Sequence, residues 1–273
     1  ATEGALETAF MQMIYKLDEI QLRQIFGTLV DWVGLNDKLA LYKEDAVGMS
    51  TVIAENLPQA LPFFRLMAAL TNDLKHIFVP YLLDIMDMIV AILGDSGKGS
   101  KDERKKLKAL TKTKKNGKRA ADSDDEDEVE DGESFLRKYA TVTVWRAQTS
   151  ALVVQTMHSA LRTDTMMARG SHGQTTAIIA KDDMEKLLPA LAGHIEVAYT
   201  LRLNVPPSAS QVDSTLVFPE FMDKVLTPCL GQLSVHLAYS NPALWDTLTQ
   251  VTMAQSRHSS AIVRFAALSA LHI

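Results

Sequence analysis

The stretch Lys16–Val33 constrains the fold more than any other part of the chain. Leu22, Ile25, Phe26, Leu29 and Val33 recur at helical spacing, which gives one apolar face and leaves Arg23, Gln24, Thr28 and Asp31 on the wet side. Asp18 is placed to cap the first turn, and Gln21 completes a capping box with it. Such a helix cannot bury its stripe alone. It needs a neighbour, and the chain supplies a row of them.

Ala5–Tyr15 precedes it with Leu6, Phe10, Met13 and Ile14 on one side. Leu39–Leu57 repeats the pattern and is expected to stop before Pro58, with Pro62 opening Phe63–Leu70. Asp73–Val79 and Tyr81–Leu93 are divided by Pro80, and Gly94 reads as a C-cap. Helical patterning returns over Ser134–Leu161, Lys181–Leu203, Phe218–Tyr239 (with Pro228 inside), Pro242–Gln255 and Ser259–Ile273. Ala140–Trp145, rich in Thr and Val, is open to a strand reading. Arg162–Thr176 reads as a polar loop and Asn204–Gln211 as a turn. Hydrophobic residues make up 47% of the chain but aromatics only 7%, the balance of a helical protein.

Residues 94–133 break the pattern. Lys98–Arg119 holds eleven Lys or Arg against Asp102 and Glu103, and Asp122–Glu133 holds nine acids and no base. The blocks cancel, so the rest of the chain carries the whole net charge of −5. That balance argues against a protein that binds nucleic acid with its entire surface. Apolar content here is too low to offset ordering entropy, so a disordered insert is expected between helical segments 1–93 and 134–273. Closure cost rises only with the logarithm of length, which makes such an insertion tolerable.

A single cysteine, Cys229, excludes an internal disulfide framework and fits a reducing compartment. No apolar run reaches the roughly 18 residues needed to span a bilayer. The chain starts at Ala1 and stops at Ile273 in mid-pattern, and is read as an excerpt of something longer. Gly94-Asp95-Ser96-Gly97 imitates a serine nucleophile turn without a strand-built oxyanion hole. Gly97-Lys98-Gly99-Ser100 half-resembles a phosphate loop but follows no strand, and reads as a hinge. The seven histidines show no zinc-binding spacing, and His194 and His236 are expected on helix surfaces or partly buried. Cys229 is read as core, and Asp182, Asp183 and Glu185 as acids opening a helix. No catalytic, cofactor-binding or metal-binding residues are assigned.

Helical segments paired through short Pro- or Asn-containing turns suggest an all-α, right-handed α-solenoid, a superhelix of antiparallel helix pairs. The last segment matches the second-helix pattern of HEAT repeats: Val263-Arg264, then Ala267, then Leu268. Ala267 lets neighbouring helices approach, and Arg264 lies near the turn, positioned to tie successive repeats. Two longer stretches carry a closer likeness. Lys16-Leu-Asp-Glu-Ile-Gln-Leu-Arg23 through Leu29-Val30-Asp31-Trp32 is one; Leu226–Leu230, Leu244-Trp245 and Ser259–Leu268 form the other. They resemble the C-terminal HEAT-repeat domain of the U-three-snoRNA-associated protein ten family, very large scaffolds of the small-subunit processome. Gln24 departs from the family's Pro at that position.

The resemblance implies a non-catalytic nucleolar scaffold in pre-rRNA processing, with Trp32, Val263, Arg264 and Ala267 as repeat-packing residues. Its partners would be other processome and snoRNP proteins, with pre-rRNA or U-three snoRNA reached through the complex, and no membrane or small-molecule substrate. Two alternatives stand beside it: a nuclear transport or adaptor solenoid for protein cargo, and a module binding RNA through the basic insert.

Within the insert, Arg104, Lys105 and Lys106 precede Lys114, Lys115, Lys118 and Arg119 at the spacing of a bipartite nuclear-import signal. The same residues are candidates for contact with RNA phosphates, or are simply a solvated charge run. Ser123, before Asp124-Asp125-Glu126, fits an acid-directed kinase site. Replacing Lys114, Lys115, Lys118 and Arg119 by Ala is expected to lower nuclear accumulation of the chain in cells. Unchanged accumulation in fluorescence microscopy would remove the import assignment.

Overall fold

The computed structural model describes residues 2–42, 45–97, 126–170 and 177–272, and among these it is helical with no strand. The helices are α1 (Thr2–Ile14), α2 (Glu19–Val33), α3 (Leu35–Leu41), α4 (Ala46–Leu74), α5 (Val79–Leu83), α6 (Met86–Gly94) and α7 (Glu126–Gly170). They continue with α8 (Lys181–Arg202), α9 (Pro207–Ser210), α10 (Phe218–Phe221), α11 (Thr227–Ser240), α12 (Trp245–Gln255) and α13 (Ala261–Leu271).

These pack as two rows. In the first, α2 lies on α4, α4 on α7, and α7 on α11. In the second, α3 lies on α6, α6 on α8, and α8 on α12, while α13 closes against α12. This is an all-α, solenoid-like stack. One continuous core runs through it, from Leu22 and Phe26 through Leu57, Phe64 and Met67 to Val154, Met157, Leu191, Leu233 and Val263.

In α2 the expected face is the buried one: Leu22, Phe26 and Val33 are buried, and Ile25 and Leu29 pack against the core. The capping box is formed. Asp18 Oδ1 accepts from the Gln21 amide at 2.8 Å, and Gln21 Oε1 accepts from the Asp18 amide at 3.2 Å. The helix ends at Gly34, in the left-handed region at φ 61°. The turn at Phe78 is held by rings, with Phe78 edge-on to Phe26 at 5.7 Å and stacked on Tyr81 at 5.5 Å.

Several expectations are overturned. Helix α4 runs straight through Pro58 and Pro62. Pro58 faces solvent, where water can satisfy the carbonyl it frees, while Leu57, Ala60, Phe63, Phe64 and Met67 are buried on the other side. Tertiary burial outweighs the lost hydrogen bond. Gly94 is a helical residue, and Asp95 takes the C-cap position in extended geometry.

Helix α7 begins at Glu126, inside the segment expected to be disordered, since an acid-rich run is favoured at a helix N-terminus. It carries Ala140–Trp145 as helix rather than strand, with Thr141 and Thr143 hydroxyls donating to carbonyls four residues back. It also continues to Gly170 through much of the expected loop, where Asp164 and Thr165 are buried and bonded inside the protein rather than to water. Pro228, inside the expected Phe218–Tyr239 helix, is accommodated by a wide π-turn over Met222–Leu226 just before α11.

The imitation nucleophile turn has a structural use. Asp95 Oδ2 pairs with Arg146 Nε at 3.0 Å, and both side chains are buried. Ser50 Oγ donates to Asp95 Oδ1 at 2.8 Å, and Arg146 Nη2 donates to the Ser50 carbonyl at 2.7 Å. Three elements, α4, the end of α6 and α7, are thereby tied at one point. Gly97, at φ 64°, sits so close that an added Cβ would lie 2.8 Å from Arg146 Nη1. Cys229 is also buried, and burial pushes its thiol up to about 12.

Asp95→Ala leaves the Arg146 guanidinium buried without its counter-charge, so a loss of about 3–5 kcal/mol in urea unfolding is expected. Asp95→Ala combined with Arg146→Met should cost less than the two single changes added together.

Candidate functional site

The most chemically varied concavity lies where α1, the end of α4 and α7 meet. It encloses about 720 Å³ and is lined by Tyr15, Asn72, Asp73, Lys75, His158 and Arg162, with Ser159, Thr163 and Met166 along one wall. Tyr15 comes from the turn after α1, and Lys75 from the first residue beyond α4. His158, Ser159 and Arg162 recur at helical spacing on one face of α7.

Two features are unusual. Lys75 stands at φ 51° and ψ −123°, a backbone region suited to glycine, and is the one non-glycine residue with positive φ among the described residues. Helix α4 ends at Leu74 and a 3-10 turn over Lys75–Ile77 leads to the Phe78 cluster, with a lysine in the strained first position. Neither Lys75 nor Arg162 makes an ion pair among the described residues, and both are exposed. The acid on the wall is engaged within the cleft and keeps its charge: Asp73 accepts from the Tyr15 hydroxyl at 2.9 Å and from Asn72 Nδ2 at 3.1 Å. That bond raises the Tyr15 hydroxyl above its ordinary pKa, with burial and the Asp73 charge acting the same way. Burial, with the neighbouring Arg162 charge, lowers His158. The cleft therefore offers two cations without ion pairs against one hydrogen-bonded carboxylate, with hydroxyls and an amide beside an anchored aromatic ring. That set is chemically suited to an anion.

The buried polar groups serve packing. His194, fully buried against the sequence expectation, donates from Nδ1 to the Leu93 carbonyl at 2.7 Å and so joins α8 to α6. It meets the Phe221 ring edge-on at 5.8 Å. Arg202 covers the other part of that ring at 3.5 Å and donates to the Thr215 and Ala147 carbonyls. Burial brings Arg202 down to about 9, so it stays cationic at neutral pH.

His236 is fully buried as well, with Nε2 3.8 Å from Asp164 Oδ2 and Nδ1 3.3 Å from Thr165 Oγ1. Asp164 also accepts from the Ile178 and Ile179 amides. Burial pushes His236 down while the Asp164 charge pulls it up, with a net lowering. The apolar periodicity of α8 and α11 was the available signal that both histidines face inward. Among the described residues, no group of three His, Cys, Asp or Glu gathers as a metal set, and no helix is long and apolar enough to cross a membrane.

The sequence-assigned residues fall in two sets. Arg104, Lys105, Lys106, Lys114, Lys115, Lys118, Arg119 and Ser123 lie outside the described residues. Val263 and Ala267 are buried in α13. Arg264 Nη1 donates to the His258 and Ser259 carbonyls, so it closes the turn before its own helix rather than bridging repeats. Trp32 is 54% exposed and does not fill the core; the α2 stripe that does is Leu22, Phe26 and Val33.

The sequence profile of the BP28CT (NUC211) domain matches residues 1–167, which run from α1 through most of α7 and include every lining residue of the cleft. The chain belongs to the BP28CT family. This is a C-terminal domain of nucleolar ribosome-biogenesis proteins, a function class seated in the nucleus. No curated protein and no solved structure matches the chain. In this BP28CT domain the cleft and the Asp95–Arg146 pair both fall within the matched region, whereas α8 and the helices beyond it lie outside.

His194 supplies a pH test. Burial holds it at about 3, below the ordinary 6.5, so the unfolded chain takes up a proton that the folded chain refuses. Its contribution is harmless above about pH 6.5 and increasingly destabilising from there down to about pH 3. At pH 5 it should cost about 2 kcal/mol relative to pH 7.5, and His236 acts in the same direction. His194→Gln should flatten that part of the pH dependence in urea unfolding.

Proposed function

We propose that the chain is part of a non-catalytic scaffold of the nucleolar small-subunit processome, the U-three snoRNP, supporting pre-rRNA processing and small ribosomal subunit biogenesis. The BP28CT match over residues 1–167 carries the reading. The resemblance of Lys16–Trp32 and Ser259–Leu268 to the processome scaffold family narrows it from ribosome biogenesis in general to that assembly.

The architecture supports such work. A stack of helices with one continuous core presents long, stiff surfaces, and its buried ionisable groups (Asp95, Arg146, Asp164, His194, Arg202 and His236) are engaged in tying helices together. Partners on those surfaces would be other processome and snoRNP proteins, with pre-rRNA or U-three snoRNA in the same particle.

The test is purification of the full-length parent protein through a tag at its own locus. Co-purification of U-three snoRNA and unprocessed pre-rRNA with small-subunit assembly factors is expected, together with accumulation of uncleaved pre-rRNA on depletion. Recovery of transport receptors and cargo without these RNAs would replace the scaffold reading with the adaptor one.

A further inference from the structure

We propose that the cleft between Tyr15, Lys75 and Arg162 binds a short segment of single-stranded RNA, with Lys75 and Arg162 on its phosphates and Tyr15 under a base. The scaffold reading does not require any direct RNA contact, and the sequence pointed for one to the basic insert. The folded cleft is a different place.

Four observations favour this occupant. Lys75 and Arg162 are unpaired cations on facing walls, the arrangement that displaces counterions from a phosphate backbone. Tyr15, 57% exposed, has its hydroxyl anchored to Asp73, so the ring is held as a stacking platform. Asn72 from α4 and Ser159 and Thr163 from α7 line the cleft as well, offering partners for 2′-hydroxyls and base edges. Lastly, Lys75 holds a glycine-like conformation while keeping a long cationic side chain, which places backbone strain in the turn that borders the cleft.

A carboxylate-rich peptide would use the cations but leave the aromatic ring and the amide without purpose. The chain's own acidic run from Glu126 is also remote. It begins α7, about 50 Å along the helix from Arg162 at 1.5 Å per residue.

The experiment uses the full chain and a fluorescently labelled uridine decamer, with affinity measured against salt and photocrosslinks mapped by mass spectrometry. Lys75→Gly combined with Arg162→Ala should weaken binding about tenfold and reduce the slope of log affinity against log salt by about 1.4, the share of two single-strand contacts. Arg162→Lys should restore the slope contributed by that position. Tyr15→Ala should weaken binding about tenfold while Tyr15→Phe stays within about twofold, because the ring and not the hydroxyl does the stacking. Lys75→Gly alone should leave the melting temperature equal or higher, since glycine relieves the backbone, and this separates lost binding from lost fold.

Crosslinks are expected at Tyr15 and within 158–163. Unchanged affinity and slope in the double variant, with crosslinks confined to Lys98–Arg119, would overturn the proposal in favour of the insert. Displacement of the decamer by hexaglutamate at equal concentration would overturn it in favour of an acidic protein partner. Either failure is read on the purified chain and leaves the processome assignment to its own test.

Discussion

The burial of α7 between α4 and α11 is the constraint on which the remaining structure depends. A helix flanked on both sides needs two apolar faces, and α7 provides them with Val153, Val154, Met157, Ala160 and Leu161. Small residues such as Ala147, Ala151 and Ala160 let the neighbouring helices approach closely. Because α7 also touches α6 and α8, it joins the two rows of the stack. Helix α6, the last described element before it, lies in the second row, so the chain changes rows between α6 and α7.

Polar groups then fix which arrangement of greasy helices is adopted. Apolar stripes alone tolerate sliding, whereas a buried charge or imidazole has few places where its bonds are met. Asp95 with Arg146 and Ser50 fixes α4 against α7. His194 fixes α8 against the last turn of α6, and Asp164 with His236 fixes α7 against α11. Gln255 does the same from α12, donating to the Ala192 carbonyl and accepting from the Glu196 amide. The steps from α4 to α7, α7 to α11, α6 to α8 and α8 to α12 thus each have their own polar lock.

Much of the fold was legible in the chain because 3.6-residue periodicity survives inspection by eye. The α2 stripe, its capping box, the inward Cys229 and the acids opening α8 all followed from local rules. What local rules mishandled was polarity and proline. Pro58 and Pro62 signal a break only if tertiary burial does not override them, and Arg162–Gly170 reads as a loop only if polar side chains must face water. The cleft was invisible for a simpler reason. Tyr15, Lys75 and Arg162 are far apart in sequence, and nothing in the pattern of any one helix announces that three of them will meet. Trp32 shows the converse, an aromatic that the family resemblance implied was packed but whose angular position on α2 points it outward.

Cys229 turns the packing of α11 into its own gauge. The thiol is fully buried in α11, and its depressed acidity leaves almost no thiolate at neutral pH, so in the closed protein it is inert toward alkylating reagents. It becomes reactive only when the packing around α11 opens. Fraying of α1, at the far end of the stack, leaves it untouched, whereas loosening of the helices around α11 exposes it. The rate at which this lone sulfur is labelled therefore measures how often the interior of the stack breathes.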